Sequence, residues 1–253
     1  MRVANIPAIV TGGASGLGEA TARALRAAGA QVAILDFNLA AAKTIAAEIG
    51  ALALQCDVAS AASAEAAVAA ATAAQGSARI LVNCAGIAPG ARVVGRNGPM
   101  PLDDFRKGIE VNLIGTFNLI RLVAAGASTL EPLEGGERGV LISTASIAAF
   151  DGQIGQASYA ASKAGVAGMT LPIARELARF GIRAVTIAPG IFETAMLRGL
   201  PENVQQSLGA GVPFPSRLGQ PDEYARLVMA IIDNPMLNGE VIRLDGALRM
   251  PPQ

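Results

Sequence analysis

Short apolar runs and helical stretches alternate from one end of the chain to the other. Runs near 6–10, 31–35, 52–56, 80–83, 138–143, 182–188 and 240–244 have the length and composition of buried strands. Helical patterns fill the gaps, notably over 16–29, 60–75, 103–128, 157–180 and 221–233. A strand that reaches its parallel neighbour through a helix makes a right-handed crossover, and repeating the unit gives a parallel sheet with helices on both faces. The expected fold is therefore α/β, a single doubly wound domain over 1–253 built on a seven-stranded parallel sheet. No linker, repeat or charge block divides it. The Ala-rich stretch 59–74 lies between two strands, and its helix propensity marks an ordinary surface helix.

The first run leads into Thr11-Gly12-Gly13-Ala14-Ser15-Gly16-Leu17-Gly18 and then a helical stretch. Strand, glycine turn and helix start make a phosphate site: amides point outward at the positive helix end, and missing side chains let a pyrophosphate approach. The spacing is G-x-x-x-G-x-G rather than G-x-G-x-x-G, and tight packing alone would use the same glycines. Asp36 ends the second run about twenty residues further on, where a Rossmann-like dinucleotide site needs an acid for the ribose hydroxyls. That carboxylate repels a 2′-phosphate, and neither the loop nor Phe37 and Asn38 supplies a cation to attract one. NAD is expected rather than NADP.

A second constellation lies in STASIAAFDGQIGQASYAASKAG. Tyr159 and Lys163 are four residues apart, on one helix face, so the ammonium can favour the ionised phenol. Exchanging protons near neutrality requires a tyrosine shift of roughly 2 to 3 units, about 3 to 4 kcal/mol. One charge at about 4 Å supplies roughly that at an effective dielectric of about 20. Ser146, just beyond the apolar run GVLIS, brings a hydroxyl that can share a substrate oxygen with the tyrosine. A bare Y-x-x-x-K is usually a solvated helix face; the glycine loop and Asp36 argue for chemistry. The chain has no histidine, which excludes a Ser-His-Asp triad, and two separated cysteines give neither a zinc site nor a disulfide framework.

Further segments recur in order: Asp57-Val58, Asn83-Cys84-Ala85-Gly86, Asn112 within VNLIGTFN, and Pro189-Gly190. With TGGASGLG and the Ser-Tyr-Lys set, they make the chain resemble the short-chain dehydrogenase/reductase family over essentially its whole length. The resemblance implies a cofactor half over about 1–145 and a catalytic and substrate half over about 146–253. It implies that Gly12, Ser15, Gly16, Leu17 and Gly18 hold the phosphates and Asp36 the ribose. Asp57 and Val58 then meet the adenine, and Asn83, Cys84, Ala85 and Gly86 run along the adenosine ribose, Cys84 mainly as a packing residue. Pro189, Gly190, Phe192 and Thr194 would shield the nicotinamide. Asn112 would orient a helix and a water chain to Lys163. Tyr159 would carry the hydroxyl proton, Ser146 hold the oxygen, and Lys163 lower the tyrosine pKa and bind the nicotinamide ribose. Gln156 would touch the substrate carbonyl or stabilise its own turn.

Within the family, GTFNLIRLVA, MTLPIAREL, VPFPSRLG and NPMLNGEVIRLDGALRM most resemble the type-2 3-hydroxyacyl-CoA dehydrogenases. That implies NAD-dependent interconversion of (S)-3-hydroxyacyl-CoA and 3-oxoacyl-CoA, including 2-methyl-branched short chains. The alternatives are an NADH-dependent carbonyl or hydroxysteroid reductase, a 3-oxoacyl-carrier-protein reductase, and a non-catalytic NAD-binding scaffold. Two segments should set the substrate: 87–102, and a helical lid over about 193–217. Arg92, Arg96 and Arg217 are the candidate partners for CoA phosphates. Twenty basic and twenty acidic residues cancel, with no dense cationic run, so no nucleic-acid partner is expected. At 52% hydrophobic, without an uninterrupted apolar run of bilayer length or a visible signal peptide, the chain is expected to be a cytoplasmic globule with no membrane partner. In the resembled family the helices over 103–128 and 157–180 pair across a two-fold axis, which implies a homotetramer. The C-terminal LDGALRM would pack at another subunit contact.

Overall fold

The computed structural model describes every residue except 97, 195, 196, 198–201 and 253. Seven strands form the central sheet: β1 (Pro7–Thr11), β2 (Gln31–Asp36), β3 (Leu52–Gln55), β4 (Ile80–Asn83), β5 (Gly139–Thr144), β6 (Ile182–Pro189) and β7 (Val241–Leu244). Their order is β3-β2-β1-β4-β5-β6-β7, and every neighbouring pair is parallel. The direction of winding reverses between β1 and β4, and the crevice beyond the strand ends at that point is where such sheets bind ligands. Register levels those ends: Thr11 pairs with Asn83, Asn83 with Ser143, and Ser143 with Thr186.

Both faces of the sheet are apolar, as a buried parallel sheet requires. Ala8 and Val10 point to one side, with Val32, Ile34, Ile80 and Val82, and meet α1 (Gly16–Ala27), α2 (Leu39–Ile49) and α7 (Pro221–Asp233). Ile9, Leu35, Leu81 and Leu141 point to the other and meet α3 (Ala61–Gln75) and α4 (Leu102–Ser128), with α5 (Ala157–Leu177) covering the sheet beyond. The alanines of α3 that face inward, Ala64, Ala67 and Ala71, let that helix lie close to its neighbours. A further helix, α6 (Glu202–Ala210), lies within the segment expected to form a lid, of which residues 195, 196 and 198–201 lie outside the described residues.

Several boundaries depart from the expected ones. Helix α2 arises where no helix was singled out; Asn38 caps its start by accepting from the Ala41 N–H, and Gly50 ends it in the left-handed region. A two-stranded ribbon, Val94–Gly95 against Gly98–Pro99, forms within the 87–102 connection. Helix α4 is continuous, but at Glu110–Ile114 it widens to a π-helical turn, a feature that often marks a functional position. This helix is long and apolar enough by length and composition to cross a membrane, yet half of its most apolar window is buried inside the fold.

Candidate active site

The glycine turn is shaped by close backbone approach. A Cβ on Gly12 would stand 2.7 Å from the Ala85 amide nitrogen, and one on Gly18 would run into the Gly12 carbonyl. Thr11 fastens β1 to the loop after β4, its hydroxyl accepting from the Cys84 and Ala85 amides at 3.2 and 3.1 Å. Ser15 caps α1 through its backbone while its side chain makes no capping bond, so the first-turn amides are left for an anion. Gly16 and Leu17 begin the helix, with the Thr194 side chain beside Gly16. Asp36 accepts from the Ala14 amide at 3.1 Å and from the Asn38 amide at 2.9 Å, which ties the acid to the glycine turn. This cradle, an uncapped helix start and an adjacent carboxylate, fits a dinucleotide.

On its far wall, the Asp57 carboxylate accepts from the Ala59 amide at 3.0 Å, and the Val58 carbonyl accepts from Asn118 at 2.9 Å. Asn83 is buried; its carbonyl accepts from Thr144, and its side-chain nitrogen has no hydrogen-bond partner among the described residues. Pro189 ends β6, and Gly190 donates to the Leu244 carbonyl at 2.9 Å. Phe192 turns its ring inward, where it joins the core and lies over Gly219. Its side chain therefore serves packing, whereas the Thr194 side chain stays beside the glycine turn.

The proton-handling residues lie at the ends of β5 and β4. Ser146 caps a short turn, accepting from the Ala148 amide at 3.1 Å. Lys163 is 5% exposed, stands 5.9 Å from the Tyr159 ring centroid, and donates to the Thr144 carbonyl at 2.8 Å. Asn112, in the π turn, closes a bidentate pair with the Ile87 backbone at 2.8 and 2.9 Å and donates to Ser162 at 3.0 Å. A Cβ on Gly86 would stand 3.1 Å from the Asn112 Oδ1 and 3.4 Å from the Lys163 Nζ. Asn112 and Lys163 are thus held at one spot.

Burial reverses one expectation about this group. The Tyr159 phenol is pushed above its ordinary value because burial penalises the anion, only partly countered by Ser146. The same burial lowers Lys163 from 10.5 to about 8. The helix spacing does bring the pair onto one face, but removing both groups from water opposes the shift that the spacing alone implies.

Other assignments separate. The Gln156 side-chain oxygen accepts from the Gln153 amide at 3.0 Å, so of its two expected roles the turn is realised. Arg217 is not a free cation: it grips Glu223 with two bonds of 2.9 and 2.7 Å and holds that carboxyl down at about 2. Arg92 and Arg96 are exposed, and Arg92 borders an open cavity of about 580 Å³ with Val93, Ile154 and Gly155. The C-terminal segment is anchored to its own chain, Arg243 bridging Asp151, Asp245 and the Leu248 carbonyl. Two residues that sequence reasoning missed complete the surroundings. Thr144 lies within the STAS run, and Tyr224 on the buried face of α7; one of only two tyrosines in the chain, on an amphipathic helix, was the available signal.

Residues 7–205 match the short chain dehydrogenase family. The chain is 52% identical over 254 residues to 3-hydroxyacyl-CoA dehydrogenase type-2 of Homo sapiens, covering 99% of this chain and 97% of that one. Against the Drosophila melanogaster protein of the same name the identity is 51%, covering 99% and 100%. The crystal structure of 3-hydroxyacyl-CoA dehydrogenase type-2 from Mycobacterium avium superposes with a TM-score of 0.94 at 45% identity, covering 98% of each chain. A glycine cradle at the sheet's switch point, joined to a half-buried Tyr159 beside buried Ser146, Lys163 and Asn112, thus belongs to a chain that is a member of the short-chain dehydrogenase family, an oxidoreductase acting on CH–OH groups with a nicotinamide cofactor.

Proposed function

We propose that this chain interconverts (S)-3-hydroxyacyl-CoA and 3-oxoacyl-CoA thioesters, short and 2-methyl-branched chains included, with NAD as its cofactor. The observation that carries the reading is the convergence of Ser146, Tyr159, Lys163 and Asn112 in a chain half identical over its length to relatives bearing that substrate in their name. The nicotinamide, when bound, accepts or returns the hydride. Ser146 holds the substrate oxygen, and Tyr159 takes its proton in oxidation and gives it back in reduction. Lys163 supplies positive charge beside the phenol; Asn112 keeps the neighbouring backbone in place through its pair with Ile87.

Asp36 supports NAD over NADP, since a carboxylate already holding the Ala14 and Asn38 amides faces a 2′-phosphate with like charge. Arg92 and Arg96 support the thioester, because a CoA substrate carries phosphate charge that a simple ketone lacks. The chain is further proposed to act in the cytoplasm as a homotetramer, with the segment after β7 at a subunit contact.

The test sets acetoacetyl-CoA beside a small uncharged ketone, with NADH and then NADPH. Efficiency with NADH should exceed that with NADPH by roughly tenfold or more, about 1.4 kcal/mol. Neutralising Arg92 and Arg96 together should raise KM for the thioester severalfold and leave the ketone unchanged, since uniform binding is lost and the chemistry is untouched. Equal effects on both substrates, or none on either, favour a general carbonyl or hydroxysteroid reductase instead.

A further inference from the structure

Between the sheet and α7 runs a line of polar groups that proton transfer to the substrate does not use. Tyr224 is the largest fully buried side chain among the described residues, at 0% exposure. A phenol there needs a partner, because an unpaired buried hydroxyl is costly. Its oxygen lies 2.7 Å from the Thr144 hydroxyl. Thr144 gives its single proton to the Asn83 carbonyl, so it must accept from Tyr224. The Cys84 thiol lies 3.7 Å from the Tyr224 oxygen and supplies the donor behind it. Donation therefore runs one way, from Cys84 to Tyr224 to Thr144 to Asn83, across the ends of β4 and β5.

Thr144 is held at a second point, its carbonyl accepting from the Lys163 ammonium at 2.8 Å. One residue thus joins a phenol on α7 to the ammonium on α5. Phenylalanine would fill nearly the same volume as Tyr224; what the hydroxyl adds is a constraint on Thr144. We propose that Tyr224 is a positioning residue for Lys163, its hydroxyl holding Thr144 so that the Thr144 carbonyl stays turned to the ammonium.

Among the described residues, four groups face Lys163. Tyr159 comes from its own helix, Cys84 from the end of β4, and the neutral Thr144 and Asn112 from β5 and α4. A carbonyl held on the ammonium favours its charged form, so loosening Thr144 should make the lysine release its proton at lower pH.

The chain has only three lysines, Lys43, Lys107 and Lys163, so [ε-13C]lysine labelling resolves each titration by NMR without any substrate. Tyr224→Phe should move the Lys163 midpoint down by about 0.5 pH unit. Thr144→Val should do the same, and the double variant no more than either alone, as coupled residues require. Val228→Ala, a buried packing change on the same helix, should lower stability and leave the midpoint in place. In turnover, Tyr224→Phe should reduce kcat roughly threefold with KM for the cofactor unchanged. A Tyr224→Phe midpoint equal to the wild type, a shift as large in Val228→Ala, or additive shifts in the double variant would each overturn the proposal. The inference rests on Lys163 serving the proposed reaction; absence of thioester turnover in the wild type counts against that function, while the midpoint still decides the role of Tyr224.

Discussion

Replacing Lys163 with methionine should stabilise the protein while abolishing turnover. The lysine is buried and its pKa falls from 10.5 to about 8, mainly because burial disfavours the charged form. At about 1.4 kcal/mol per unit, the folded chain carries a charging penalty of about 3 kcal/mol near neutrality. Methionine has a similar length and no charge, so it removes the penalty and loses the charge-assisted bond to the Thr144 carbonyl, worth about 2 kcal/mol. The net gain is about 1 kcal/mol, which for a chain of this size raises Tm by roughly 2 to 4 °C. The sign of the pH dependence follows from proton counts. Between about 8 and 10.5 the unfolded chain binds the proton and the folded chain has released it, so this lysine makes stability rise with pH across that window. Below about 8 both states are protonated and the whole penalty is present. The advantage of Lys163→Met should therefore be largest at pH 7 and shrink toward pH 10.5, a difference in which groups common to both proteins cancel. Thermal unfolding of the two proteins side by side at a series of pH values measures it. A variant less stable than the wild type at pH 7, or an offset constant with pH, would refute the reasoning.

Two further outcomes are expected. Tyr159→Phe should cut turnover by roughly a hundredfold to ten-thousandfold, the range for a lost general acid–base, while NADH binding followed by fluorescence stays nearly intact; retained turnover would remove Tyr159 from the proton path. Light scattering after size exclusion should give a tetramer, since Ile114 and Phe117 on α4 are 49% exposed and Leu171 on α5 is 44% exposed, apolar surface that a second copy would cover; a stable monomer at micromolar concentration would overturn that.

The parts of the fold that were legible are those set by local chemistry. Alternating apolar runs marked all seven strands to within a residue or two, because a buried parallel strand must be apolar on both faces. The glycine turn was legible for a related reason: at Gly12 and Gly18 another backbone occupies the space a side chain would need. Helix α2 was harder to see, since it is short and depends on the Asn38 cap and the Gly50 terminus rather than on a strong apolar stripe. The π turn around Asn112 left no local sign at all. It is a change of helical pitch, anchored by side-chain bonds to Ile87 and Ser162, residues far away in the chain.

The site divides along the same line. Spacing along one helix correctly joined Tyr159 to Lys163, but it carries no information about what covers them. Burial comes from strands and loops distant in sequence, and it pushes the phenol up and the ammonium down, against the attraction that spacing implies. Arg217 illustrates the converse: as a sequence letter it is a free cation at the end of a lid, whereas in the fold it is matched to Glu223 six residues on. Thr144 and Tyr224 belong to the same class, eighty positions apart in the chain and 2.7 Å apart in space. A one-dimensional motif thus names the groups that carry a proton, while their proton affinities are set by neighbours that only the sheet's topology brings together.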